Sequence, residues 1–270
     1  MKRMFSLIVL VVLACTFTFA AGKTDSGTDN SLKIVVEKGV LVLGLDDAFP
    51  PMGFRDDNNE IVGYDIDLAK EATRRMGVKL ALQPIDWNAK EQELNTGKID
   101  CIWNGFTMTA EREKAMSFTK PYLKNAQVVV VRKDSGHRTL ADLKGKSVGL
   151  QAGSSAADAV EGAAEFKAAI KDVIEFKDNL TALMDLEVKG VDAVVMDLFV
   201  ANDNINRSGK AYAILAETLA PENYGVGFRK GDLALMDKVQ STLEEMAKDG
   251  TIATISSKWF GADISVVGKN

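Results

Sequence analysis

The sequence predicts an α/β fold built as two lobes, each a mostly parallel sheet flanked by helices, and three observations predict it. Short β-rich runs alternate with helical patterns along most of the chain. The stretch from about Lys33 to Asn270 is long enough for two separate cores. Two extended segments, FTKPYLKNAQ (118–127) and ENYGVGF (222–228), interrupt the alternation where a chain would leave one lobe and return.

Taken in order, Lys2 and Arg3 precede an apolar run from Met4 to about Phe19, which ends in Ala20-Ala21-Gly22. A basic start, an apolar middle and small closing residues describe an export signal over 1–22. The run is short for a bilayer span, which takes about 20 residues. The expected location is therefore periplasmic, after release. Val12-Leu13-Ala14-Cys15 also resembles a lipoprotein box, which would place a lipid on Cys15 at the outer face of the membrane. Leu13 is large for its place in such a box, so release is the favoured reading. Residues 23–32, KTDSGTDNSL, read as a flexible leader.

VLVLGL (40–45) reads as a buried strand. DIDLAKEATRRMG (65–77) reads as a helix, with Leu68, Ala69, Ala72 and Met76 on one face and Gly77 closing its end. Asp65 and Asp67 read as acids favoured by the helix start. LALQP (80–84) is a strand, a helix runs to about Asn95, and IDCIW (99–103) is the next strand. QVVVVR (127–132), SVGLQ (147–151), VIEF (173–176) and DAVVM (192–196) follow as strands, with helical stretches over 155–170 and 178–188. A final helical block runs from about Asp232 to Trp259 and breaks at Gly250. The expected division is 33–122 with 225–270 as the first lobe and 123–224 as the second, joined by two hinge strands.

Composition narrows the function. Without Lys2 and Arg3 the 33 basic residues become 31 against 38 acids, a charge of about −7 with no basic run. Nucleic acid is not an expected partner, and a monomer is expected. Cys101 is the only cysteine after residue 15, so packing rather than a disulfide holds the exported chain. No G-x-S-x-G elbow and no His/Cys cluster occurs, and His137, the single histidine, lies in the polar stretch KDSGHR. No metal or cofactor is expected.

In open α/β sheets a ligand sits at the carboxyl ends of the strands. Asp46 and Phe49 follow the first strand, and Trp87 follows the second. Asn104, Gly105, Thr107, Thr109 and Arg112 follow the third; Ser154 and Ser155 follow SVGLQ, and Asp197 follows DAVVM. Singly, each has a structural reading as a turn residue, a helix cap, a core aromatic or an ion-pair partner. Together they suit a zwitterion. A carboxylate is met by a bidentate Arg and helix-end N–H groups, an ammonium by an Asp, and aromatic walls exclude water.

With LGLDDAFPPMGFRDDN, VGYDIDLAKEATRRMGV, TMTAEREKAMSFTKPY and GTIATISSKWFG in this order, the chain resembles a known family over about 33–262. These are the extracytoplasmic solute-binding proteins of polar amino acid ABC transporters, solute-binding family 3. The glutamine-binding and lysine/arginine/ornithine-binding proteins belong to it. The resemblance implies closure by hinge bending on a free amino acid, and a membrane permease of an ABC importer as partner. It implies that Arg112, the Thr107 hydroxyl and the Ser155 N–H hold the ligand carboxylate. Asp197 and the Gly105 region would take the ammonium, Phe49 and Trp87 would flank the side chain, and Asp46 would reach its tip. Asn104 stands where relatives often have Ser or Ala, Gln151 and Met196 vary with specificity, and NAKEQEL after Trp87 is more polar than usual. An ionised Asp46 ranks cationic and amide-bearing ligands first, small polar ones and cystine next, and acidic ones last. Exported cyclohexadienyl or arogenate dehydratases resemble the same fold, and Asp46 or Asp197 would then do acid–base work.

Overall fold

The computed structural model describes residues 29–269. The export signal over 1–22, the lipid position at Cys15 and leader residues 23–28 lie outside the described residues. The rest of the expected leader gives way to a helix, Ser31–Lys38. Its first residue is docked, because the Ser31 Oγ accepts a 3.0 Å bond from the Leu235 N–H.

Two five-stranded sheets share one plan. The first runs Lys79–Pro84, Val40–Leu45, Cys101–Ile102, Gly227–Arg229, Met116–Phe118. The second runs Asp172–Phe176, Ser147–Gln151, Ala193–Asp197, Leu123–Arg132, Tyr212–Tyr224. In each, only the fourth strand runs against the others. That strand is the first one the chain makes after entering the sheet from the other. Central strands buried on both faces read as continuous apolar runs: Leu41, Leu43 and Leu45 are fully buried in the first sheet, and Val128 to Val131 in the second.

All strands of the second sheet lie between Leu123 and Tyr224, and those of the first lie outside that interval. The two crossing strands pair with each other, Leu123 opposite Tyr224 and Asn125 opposite Glu222. The Tyr122 N–H donates to the Tyr224 carbonyl at 2.9 Å, and the Val266 N–H near the chain end donates to the Tyr122 carbonyl at 3.0 Å.

Helix Tyr64–Met76 buries Ile66, Leu68, Ala69 and Ala72. The 155–170 stretch is two helices, Ser155–Gly162 and Ala164–Ala169, because the backbone leaves helical geometry at Ala163. Leu233–Lys248 and Thr251–Phe260 are separated at Gly250, whose φ of +85° ends the first helix. A small antiparallel sheet, Ala48–Phe49, Gly53–Arg55 and Ile61–Val62, has strands too short for a periodic signal.

Asp65 corrects the sequence reading. It is fully buried and braces two segments: its Oδ2 accepts from the Gly105 N–H at 2.6 Å and from the Tyr122 hydroxyl at 2.9 Å. The signal was present, since Asp65, Leu68, Ala69 and Ala72 follow the i, i+3, i+4, i+7 spacing of the apolar stripe. Burial pushes its carboxyl up to about 7, against the lowering effect of those two bonds. A carboxyl raised in the folded state contributes stability below its ordinary range and loses it as pH rises through about 7. Asp65→Ala is expected to cost about 1–3 kcal/mol for each donor left unpaired. Asp65→Asn, which keeps an acceptor oxygen, is expected to cost less and to flatten the fall in stability between pH 5 and 8. Urea unfolding at several pH values measures both.

Candidate functional site

The carboxyl ends of the two sheets meet, and the residues there bond across the gap. Arg112 sits in the short helix Ala110–Ala115, capped by the Thr109 Oγ1, which accepts from the Arg112 N–H at 3.2 Å. Its guanidinium lies 4.7 Å from the centre of the Phe106 ring. It donates to the Thr107 carbonyl at 3.0 Å and, across the gap, to the Gly153 carbonyl at 3.1 Å. Gly153 belongs to the turn that opens helix Ser155–Gly162. Burial lowers the Arg112 pKa, and the charges of Asp158 and Glu222 oppose that.

Thr107 and Ser155 meet from the two sides: the Ser155 Oγ donates to the Thr107 Oγ1 at 3.2 Å. The Thr107 hydroxyl donates to Glu222 at 3.1 Å. Asp197 ends the strand Ala193–Asp197 and precedes helix Leu198–Ser208, but its side chain does not cap that helix. Its Oδ1 instead accepts from the Tyr224 hydroxyl at 2.5 Å and the Asn125 amide at 2.6 Å. Burial, and then the Glu222 charge, push its carboxyl up to about 7.

Asp46 reaches across the gap to Gln151: its Oδ2 accepts from the Gln151 amide at 2.7 Å. Burial raises its pKa, and Asp178 and Asp47 add to the rise. Beyond it lies a cavity of about 270 Å³ walled by Asp46, Asp47, Asp86, Asp178, Lys177 and Trp87. Gly105 sits at φ +55°, and a side chain there would come within 2.9 Å of the Phe49 ring and 3.2 Å of the Tyr224 ring. Phe49 and Trp87 are nearly buried, and Trp87 stands edge-on to Phe106 at 5.7 Å.

Two expected residues also bond within their own surroundings. The Asn104 Oδ1 accepts from the Asp46 N–H at 2.9 Å, while its Nδ2, buried without a hydrogen-bond partner among the described residues, packs against Gly53. The Ser154 Oγ closes its own turn on the Gln151 carbonyl at 2.7 Å.

Sequence reasoning missed Lys90, Asn125, Gln127, Glu222 and Tyr224. Lys90 is 5% exposed and donates across the gap to the Gly153 carbonyl at 2.8 Å. Burial, and then the Arg112 charge, lower its pKa to about 8. The unusual polarity of NAKEQEL was its signal. Asn125 and Gln127 alternate with Leu123, Val129 and Val131 on one face of a strand, which marks two polar groups on a core face. Nothing in the sequence marks Glu222. Among the described residues, Lys90, Arg112, Asp197 and Glu222 make no ion pair.

Residues 41–262 match the family of bacterial extracellular solute-binding proteins, family 3. The L-cystine-binding protein TcyJ of Escherichia coli (strain K12) is 32% identical over 247 residues, covering 89% of each protein. The solved structure of Tv2483 bound to L-arginine is similar with a TM-score of 0.85 and 36% identity, covering 90% of this chain and 100% of that one. An ABC uptake transporter substrate-binding protein from Streptococcus pneumoniae with bound histidine follows, at a TM-score of 0.81 and 36% identity, over 88% of this chain and 98% of that one. With the family matched along most of the chain and these relatives covering nearly all of it, the protein belongs to the bacterial extracellular solute-binding proteins, family 3.

Proposed function

We propose that the protein binds a polar L-amino acid, with cationic or amide-bearing side chains favoured, in the gap between its lobes, and delivers it to the permease of an ABC importer. One observation carries the reading. Arg112 and Asp197 are 6% and 5% exposed, are of opposite charge when ionised, and have no ion-pair partner among the described residues. A buried charge without a partner is costly. An α-amino acid supplies both missing partners at once, its carboxylate to Arg112 and the Ser155 end of the helix, its ammonium to Asp197. The acid-rich cavity beyond Asp46 favours a cationic or amide tip, and the arginine and histidine held by the two similar structures agree with that. Phe49, Trp87 and Gln151 would line the stem of the ligand.

Closure is the mechanical part of the proposal. Residues 33–122 with 225–270 form one body and 123–224 the other, moving about the paired crossing strands. Lys90, Arg112 and Asp46 each bond to the opposite lobe, so they hold the closed arrangement. A dehydratase-like enzyme is the second reading, since a carboxyl near neutrality at Asp197 suits a proton donor. Recovery of the ligand unchanged after prolonged incubation decides for binding; a dehydrated product decides for the enzyme.

Arg112→Ala and Asp197→Ala are each expected to cost about 2–5 kcal/mol of binding by calorimetry, because each leaves a ligand charge desolvated and unpaired. In a thermal-shift panel of amino acids, arginine, lysine, histidine or glutamine is expected to stabilise the protein most. Stabilisation by glutamate or aspartate alone would overturn the ranking. Lys90→Met is expected to enlarge the radius of gyration of the unliganded protein in small-angle scattering, with saturating ligand restoring the compact value.

A further inference from the structure

We infer that Glu222 is a second carboxylate of the ammonium seat: with Asp197 it forms a two-acid site in which the ligand's ammonium takes the place of a proton on Asp197. The inference rests on the proposed amino acid site and adds a residue and a linked proton to it.

The geometry comes from the crossing strands. Glu222 lies on the returning strand directly opposite Asn125 on the outgoing one. A single nitrogen, the Asn125 Nδ2, donates to the Asp197 Oδ1 at 2.6 Å and to the Glu222 Oε2 at 2.8 Å. The two carboxylates are therefore no farther apart than two hydrogen bonds laid end to end. An ammonium carries three N–H donors on one atom and can span that separation. The Glu222 Oε2 also accepts from the Gln127 amide at 3.0 Å and the Thr107 hydroxyl at 3.1 Å. Those bonds fix the acid against the residue expected to touch the ligand, but every one of its donors is neutral.

Burial and the nearby Glu222 charge both disfavour an ionised Asp197, so in the unliganded protein Asp197 holds a proton. The other charged or titratable groups facing the pair are Arg112, Asp158 in the cavity beside Glu222, and the Tyr224 phenol. Arg112 favours the ionised form of Asp197, while burial keeps the Tyr224 phenol protonated well above neutrality. An arriving ammonium replaces the Asp197 proton as the neutralising charge. The proton leaves for the buffer, and no covalent bond to the ligand changes.

Calorimetry on the mature protein with L-arginine, L-glutamine and L-cystine tests this, in two buffers of different ionisation enthalpy. For the wild type, the buffer dependence at pH 6.5 is expected to report proton release, and affinity is expected to rise from pH 5.5 to 8. Glu222→Gln is expected to bind about ten- to a hundredfold more weakly at pH 8, as befits loss of a charge-assisted bond. It should also release less proton than the wild type at pH 6.5, because the Glu222 charge is, after burial, the second cause of the upward push on Asp197. Glu222→Asp keeps the charge and should restore the release. A folded Glu222→Gln protein with wild-type affinity and wild-type proton release overturns the inference while leaving the binding function intact. A wild type that binds none of the three amino acids overturns the binding function itself, and this inference with it.

Discussion

The chain passes between its two sheets twice, and the two passages are hydrogen-bonded to each other. Most of the site follows from that constraint. Because Leu123–Arg132 and Tyr212–Tyr224 pair side by side, Asn125 and Glu222 are fixed opposite each other at the floor of the gap. Each sheet receives its reversed strand immediately after a crossing, which leaves the carboxyl ends of the remaining strands facing one another. Only 119–122 and 225–226 then lie between the strands of the two sheets, and Asp65 reaches one of these segments through Tyr122.

The electrostatics follow a single logic. The cleft buries the cations Lys90 and Arg112 and the acid Asp197, and satisfies them with carbonyls, amides and hydroxyls rather than with each other. Such an arrangement is poor at stabilising an empty protein and good at recognising a molecule that carries both charges. In the proposed reading the zwitterion would meet Arg112, Thr107, Ser155 and Asp197, while the acid-lined cavity reached past Asp46 would receive the far end of the ligand.

Much of this was legible in the sequence. Strands 40–45 and 147–151 and helix 65–77 were visible because their periodicity is long or their apolar runs unbroken. Asp46 and Asp197 stood out because each directly follows a predicted strand, and Arg112 because it lies in the segment after IDCIW. The hidden parts share a cause: their roles are set by elements distant in sequence. Asp65 looked like a helix-start acid, although its partners lie at Gly105 and Tyr122. Asn104 follows a strand, and the bond its Oδ1 accepts from the neighbouring strand end at Asp46 has no local signal. Glu222 has no local pattern at all, and its neighbours come from the opposite crossing and from Thr107. The two-residue strands Ala48–Phe49 and Ile61–Val62 gave no signal because two residues have no period.

Lys90 and Arg112 both end on the Gly153 carbonyl. That oxygen belongs to the main chain, so no substitution at position 153 can delete it. A side chain there is also discouraged by a φ of +68° and by the Asn88 Oδ1, 3.0 Å from where a Cβ would sit. The grip between the halves therefore has one invariant jaw and one adjustable jaw. Exchanging lysine or arginine for a shorter or neutral residue retunes how firmly the halves hold together, while the acceptor they reach for stays the same through any amount of sequence drift.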